Sequence, residues 1–152
     1  MTTPRLTELA ERAQKYVAED RPESDVLAPG SVWNLSQTLQ HCAQTVRYSV
    51  AGYPRLKPPL FRATVGALAK RTFLGRDRMR HSLGAVIDGA PQLDRDLPPA
   101  AAVAQLAEAV TQFTEHTGAH APHPAYGPCT HDEFARLHAM HLAEHLPGLA
   151  RD

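Results

Sequence analysis

The chain has 152 residues, enough for one domain with its own hydrophobic core, and we predict a single domain over residues 1–152. Sixteen basic and sixteen acidic residues balance, so the net charge gives no support for a nucleic-acid partner or an anionic membrane. No apolar run approaches the ~18 to 20 residues that cross a bilayer, and the N-terminal segment lacks the apolar stretch of a signal peptide. We therefore expect a cytoplasmic protein.

The predicted elements, taken in chain order, are all helices, because apolar residues recur at helical spacing and no segment alternates as a strand does. The first helix covers about residues 4–20. A loop rich in proline and glycine separates it from the second helix, at about residues 34–50. Asn34 and Gln37 at the start of the second helix have the spacing of a capping box. The third helix covers about residues 59–74.

A long irregular connection follows, from about residue 81 to residue 98. An alanine-rich helix at about residues 98–117 comes next, and then a loop of glycine, proline and histidine. Thr130 and Glu133 form a second capping box at the start of the last helix, which covers about residues 131–146. Helical segments joined in this way predict an all-α helix bundle.

The last helix carries His138, His141 and His145 in the middle of its apolar face when residues are spaced at 100°. Three imidazoles in one apolar stripe are hard to satisfy without water, a ligand or a metal ion. His141 and His145 have i,i+4 spacing and can converge on one ion. His138 lies too far from His145 along the axis to share that ion easily, so we assign it to the core wall or to a hydrogen bond near the site.

A third metal ligand has to come from elsewhere in the chain. His41 lies beside the apolar stripe of the second helix, at the edge of the core, where it either lines a pocket or bonds to solvent. The other His-x-x-x-His pair, His116 and His120, is interpreted as a solvated helix end, because a glycine lies between the two and prolines follow.

Four segments, in this order and spacing, resemble the DinB-like superfamily, and more closely an uncharacterised branch of it, over about residues 31–149. They are SVWNLSQTLQHCAQTVRYSVAGYP, IDGAPQL, HPAYG and HLAEHL. The resemblance implies a four-helix bundle, here with an additional N-terminal helix, that is often a homodimer. It also implies a zinc or nickel ion on His41, His141 and His145. Some relatives use a low-molecular-weight thiol, which they transfer to electrophiles or use to isomerise small acids.

The chain departs from the pattern of this branch at three places. Glu144 stands where the branch has a second histidine, Pro147 and Gly148 stand where it has polar residues, and Ala125 replaces an expected aromatic residue. These changes leave the three predicted ligands intact and concern the substrate.

Further side chains are candidates for a pocket or for contacts with the metal ligands. They are Thr38, Tyr48, His123, Tyr126 and His138. Glu144 points away from the histidine face of its helix and is interpreted as a solvated charge, with an acid–base role as the alternative. Cys129 precedes the Thr130 cap, where helix amides would lower the pKa of its thiol, and the alternative is an inert thiol.

Three functions are open on the sequence. The first is a metal-dependent enzyme, a thiol-dependent transferase or a hydrolase, that acts on a small molecule. The second is a non-enzymatic bundle, stabilised by its metal ion, with a stress-related or interaction role. The third is a structural bundle without metal. A fourth protein ligand would favour the second function, and an open coordination position beside a deep pocket would favour the first.

Overall fold

Local sequence signals set the helix starts in the computed structural model, which describes residues 3–151. The Asn34 side chain accepts a hydrogen bond from the Gln37 N–H, and the Gln37 side chain accepts one from the Asn34 N–H. Thr130 and Glu133 make the same reciprocal pair. Both predicted capping boxes are therefore confirmed, and each satisfies backbone donors that the first helical turn leaves without partners.

Seven α-helices follow along the described part of the chain. They are α1 (Leu6–Ala18), α2 (Leu35–Ala51), α3 (Pro59–Phe61), α4 (Ala67–Arg76), α5 (Pro99–Glu115), α6 (His131–His145) and α7 (Pro147–Ala150). A π-helical turn, Arg62–Gly66, joins α3 to α4 without a break, and a 3-10 turn, Glu23–Asp25, lies between α1 and α2. No strand occurs within residues 3–151, so the all-α prediction is confirmed. The short α7 was not predicted.

The bundle consists of α1, α2, α5 and α6, whose apolar faces meet in one core. Its largest fully buried side chains include Leu9, Leu39, Leu106, Phe113 and Phe134. The N-terminal helix α1 packs against α5 and α6, because its apolar stripe is buried from Leu6 to Tyr16. This helix is thus one of the four in the bundle, and the α3–α4 segment lies outside it, with α4 against α6.

The α3–α4 segment buries few of its own side chains. Gly66 is the one buried residue that the structure describes in this segment, whereas the side chains of Leu60, Val65 and Leu68 are mostly exposed. The segment therefore forms a flank of the bundle. Among the described helices none is long and apolar enough to span a membrane.

Candidate metal centre

Helix α6 turns three of its four histidines inward. His138, His141 and His145 are all buried, as the helical wheel predicts, because they share the face that packs in the bundle. His41 on α2 is buried as well, with 3 % of its surface exposed. The expectation that His41 lies at the edge of the core is therefore wrong, since α6 and the ring of Trp33 cover it.

Four histidines converge at one point between α2, α6 and the connection after α4. His41, His81, His141 and His145 each offer a ring nitrogen, and these four atoms lie within 4.8 Å of one another. The Nε2 atoms of His41 and His141 are 3.2 Å apart, and those of His81 and His145 are 3.1 Å apart. Four nitrogens bound tetrahedrally to zinc at about 2.0–2.1 Å are separated by roughly 3.3–3.4 Å, so this spacing suits a divalent ion.

His81 is the member of this group that the sequence did not reveal. It lies in the irregular connection after α4, and Glu144 of α6 holds it there. The Glu144 carboxylate accepts the His81 main-chain N–H at 2.7 Å and lies 2.5 Å from His81 Nδ1. Glu144 is therefore not a solvated charge, because only 15 % of its side chain is exposed and both oxygens contact His81.

Three imidazoles of the centre, those of His41, His141 and His145, are neutral near neutral pH. Burial, with a smaller effect of neighbouring histidines, lowers the pKa of His41 to about 4 and that of His145 to about 3. Burial and the same neighbours hold the pKa of His141 well below its usual value. A neutral imidazole has a free lone pair, which is the form that binds a metal ion. His41 Nδ1 is also buried without a hydrogen-bond partner in the described chain.

Trp33 closes one side of the centre. Its ring centroid lies 4.8 Å from that of His41 and 5.8 Å from that of His145, on which it stacks at 21°. The indole therefore covers two of the four histidine rings on this side of the cluster. Sequence reasoning did not single out Trp33, although it immediately precedes the Asn34 cap of α2.

A cavity of about 580 Å³ lies on another side of the centre. His41, His81 and His141 form part of its wall, so an ion bound among them would face the cavity. The remaining wall includes Tyr53, Met79, His123, Tyr126, Leu137 and His138. A largely apolar cavity with a few polar groups is typical of small-molecule sites.

The family described as "Protein of unknown function (DUF1569)" matches residues 6–152. The chain belongs to this family. No curated protein and no solved structure matches it. The family description names no activity, and the features of this DUF1569 member that bear on its chemistry are the four-histidine centre and the cavity beside it.

The other predicted pocket residues divide into two groups in this DUF1569 protein. His123, Tyr126 and His138 line the cavity, and His138 also hydrogen-bonds to Ser49 Oγ at 3.0 Å. Thr38 does not line it; this residue is fully buried, and its hydroxyl donates to the carbonyl of Asn34, the cap of α2.

Tyr48 packs on Tyr53, with ring centroids 5.8 Å apart, and Tyr53 takes the place in the cavity wall that was expected of Tyr48. The Tyr53 hydroxyl donates to the Thr45 carbonyl at 2.8 Å, so this ring is fixed from α2.

Cys129 does not have the activated thiol that its place before a helix cap indicated. Burial raises its pKa to about 11, and the lowering effect of the nearby Lys70 ammonium is smaller. The alternative of an inert thiol is therefore favoured. The pair His116 and His120 is not a helical chelate either, because α5 ends at Glu115, before both residues.

Proposed function

We propose that this DUF1569 protein is a DinB-like metal protein that holds one divalent ion, zinc or nickel, on His41, His141, His145 and His81. One observation carries the proposal: four imidazole nitrogens, three of them on buried histidines, converge within 4.8 Å. Imidazole suits both zinc and nickel. Glu144 contacts His81 Nδ1, and a carboxylate in this position typically orients a metal-bound histidine. The all-α bundle fits the fold that the DinB-like resemblance implies.

We infer further that the protein is an enzyme that uses this ion to act on a small molecule, as a thiol-dependent transferase or a hydrolase. When bound, a zinc or nickel ion supplies Lewis acidity toward a thiol or a water molecule. The cavity supports this role, because it borders three of the four histidines and is large enough, at about 580 Å³, for a small ligand.

A second function is favoured by His81. A fourth histidine completes a tetrahedral set, and complete sets are typical of ions that stabilise a fold. The alternative is therefore a non-enzymatic bundle, stabilised by its metal ion, with a stress-related or interaction role.

The metal proposal is tested by elemental analysis of protein purified without a polyhistidine tag. One equivalent of zinc or nickel is expected in the parent. His41→Ala, His141→Ala and His145→Ala should each lose most of it, because each removes a ligand. His138→Ala is the matched control from the same face of α6 and should keep the stoichiometry of the parent. Full occupancy in His41→Ala protein would show that the ion is held in some other way.

The choice between the two functions is tested with cobalt in place of the native ion, since its visible spectrum responds to coordination number. If the centre keeps a position open toward the cavity, azide or a small thiol should change the spectrum. An unchanged spectrum would favour the stabilising role. Turnover of electrophiles with the common cellular thiols is the following assay, and its failure would leave hydrolysis or a binding role.

A further inference from the structure

The loop from His123 to Gly127 is a rigid part of the cavity wall. Its ends are joined by two backbone hydrogen bonds, His123 N–H to the Gly127 carbonyl at 2.9 Å and the reverse at 3.1 Å. Gly127 permits this closure with a φ of +75°, where a side chain is disfavoured. A third bond, from the Lys57 N–H to the Pro124 carbonyl at 2.8 Å, ties the loop to the segment before α3.

The loop backbone determines which nitrogen of His123 carries the proton. His123 Nδ1 lies 3.1 Å from both the Ala125 N–H and the Tyr126 N–H. A nitrogen that accepts these bonds has no hydrogen of its own. Burial also lowers the pKa of His123 to about 3, with a smaller effect of Lys70, so the ring is neutral. Its one proton is therefore on Nε2.

Two hydrogen-bond donors of the cavity wall lack an acceptor. Neither the Nε2–H of His123 nor the hydroxyl of Tyr126 has a partner among the residues that the structure describes. The two rings stack with centroids 4.0 Å apart and planes at 8°. Burial, followed by the Glu144 carboxylate, raises the pKa of Tyr126 to about 12, so its hydroxyl keeps its proton. Neither donor atom belongs to the side-chain atoms that are buried without a partner, so both face the cavity, where a ligand acceptor would take the place of water.

We propose that His123 Nε2–H, with the Tyr126 hydroxyl beside it, receives an oxygen acceptor of a small, otherwise apolar molecule in the cavity. The acceptor is a carbonyl or a carboxylate oxygen, since either accepts from both donors. This inference rests on the proposed function, because the same cavity borders the histidine centre. Met79, Ile87 and Leu137 in the cavity wall suit an apolar body. Imidazole ligands carry no negative charge, so an ion bound by them would keep its full charge, which favours the carboxylate.

The first test concerns the tautomer and needs no metal. In metal-free protein, the ¹⁵N chemical shifts of the histidine rings should show His123 with Nε2 protonated and Nδ1 unprotonated between pH 5 and pH 8. A proton on Nδ1, or a charged ring in this range, would overturn the assignment. Because this result is independent of the ion, it separates a failure of the loop argument from a failure of the metal proposal.

The second test measures the binding of benzoate and of acetophenone to zinc-loaded protein by calorimetry. In His123→Asn the amide oxygen can still accept from the loop N–H groups, but nothing replaces Nε2–H. This variant should bind the preferred probe about tenfold more weakly, the effect of one lost hydrogen bond. Tyr126→Phe keeps the stacked ring and should also weaken binding. Tyr48→Phe, which removes a hydroxyl outside the cavity wall, is the control and should bind as the parent does.

The outcomes are distinct. Tighter binding of benzoate than of acetophenone identifies the acceptor as a carboxylate, and the reverse identifies a carbonyl. Equal affinities in the parent, His123→Asn and Tyr126→Phe would overturn the proposal, as would the failure of both probes to bind the zinc-loaded parent. A parent that takes up no zinc would refute the metal centre, and the tautomer measurement would then decide the role of His123 alone.

Discussion

At the scale of single residues, the contact between Glu144 and His81 determines how the connection after α4 takes part in the centre. The carboxylate accepts both the main-chain N–H and the Nδ1–H of His81, so Nε2 is the nitrogen that faces the other histidines. A carboxylate in this position fixes the tautomer of a ligating histidine and increases its basicity. Glu144 should therefore influence metal affinity without touching the ion.

We predict that Glu144→Gln weakens zinc binding by about 10- to 100-fold, the range for loss of such a partner. The amide can keep one hydrogen bond to His81 but lacks the negative charge. Competition with a chromophoric chelator measures the affinity. Asp132→Asn removes an exposed carboxylate from the first turn of the same helix and is the matched control. Equal zinc affinities in Glu144→Gln and Asp132→Asn would contradict the role given to Glu144.

A second residue-scale prediction concerns His138 and acid. Burial first, and then His123 and His120, lower its folded-state pKa to about 3, while the unfolded ring titrates near 6.5. His141 is a further titratable neighbour and is also neutral. As pH falls from 6.5 toward 3, the unfolded chain binds a proton that the folded chain excludes, so the free energy of unfolding decreases.

Urea unfolding of metal-free protein at pH 7 and pH 5 checks this. His138→Gln should lose less stability over that interval than the parent, by about 2 kcal/mol. His116→Gln, at the end of α5, should behave as the parent does. If His138→Gln loses as much stability as the parent between the two pH values, the ring is not held neutral in the folded state.

At the scale of elements, Gly66 explains how the α3–α4 segment meets the cavity loop. A Cβ at this position would lie 1.7 Å from the Ala125 carbonyl oxygen, so only glycine allows the π-helical turn to approach the loop this closely. Its φ of −65° is ordinary for a helix, and the requirement is therefore one of space. A residue of α3–α4 thus determines where the loop that carries His123 and Tyr126 lies.

We predict that Gly66→Ala destabilises the protein by about 1–3 kcal/mol, the usual cost of overpacking, and moves the loop. Gly75→Ala is the control in the same segment, because nothing lies within 4 Å of the added Cβ. It should stabilise the helix by up to about 1 kcal/mol through propensity alone. Chemical denaturation measures both. If the Gly66→Ala protein is as stable as the Gly75→Ala protein, the loop moves aside without any loss in the free energy of unfolding.

At the scale of the whole molecule, we propose that two copies pair through the α3–α4 segment. Leu60, Val65 and Leu68 of this segment expose 75, 60 and 67 % of their surfaces, which supports the proposed homodimer. Sedimentation at micromolar concentration should give a dimer for the parent and a monomer for Leu60→Glu or Leu68→Glu. Val32→Glu changes an equally exposed residue between α1 and α2 and should remain dimeric. A monomeric parent would contradict the proposal.

The features that the sequence predicted depend on residues that are close together in the chain. Helix starts follow from capping boxes that span four residues, and the inward position of His141 and His145 follows from the period of one helix. The proximity of His41 needed the DinB-like resemblance as well. His81 could not be found in this way, because its position depends on the course of an irregular connection and on a contact with Glu144, 63 residues away.

Trp33 is the only tryptophan in the chain, and it stacks against the histidine centre. The tryptophan fluorescence of the protein, excited selectively over that of its four tyrosines, therefore comes from one indole next to the proposed ion, and no dye or tag is needed to follow loading. Nickel, with an unfilled d shell, should quench this emission strongly, whereas zinc should change it without comparable quenching. Stepwise addition of either ion to metal-free protein would then give its dissociation constant from a single emission band.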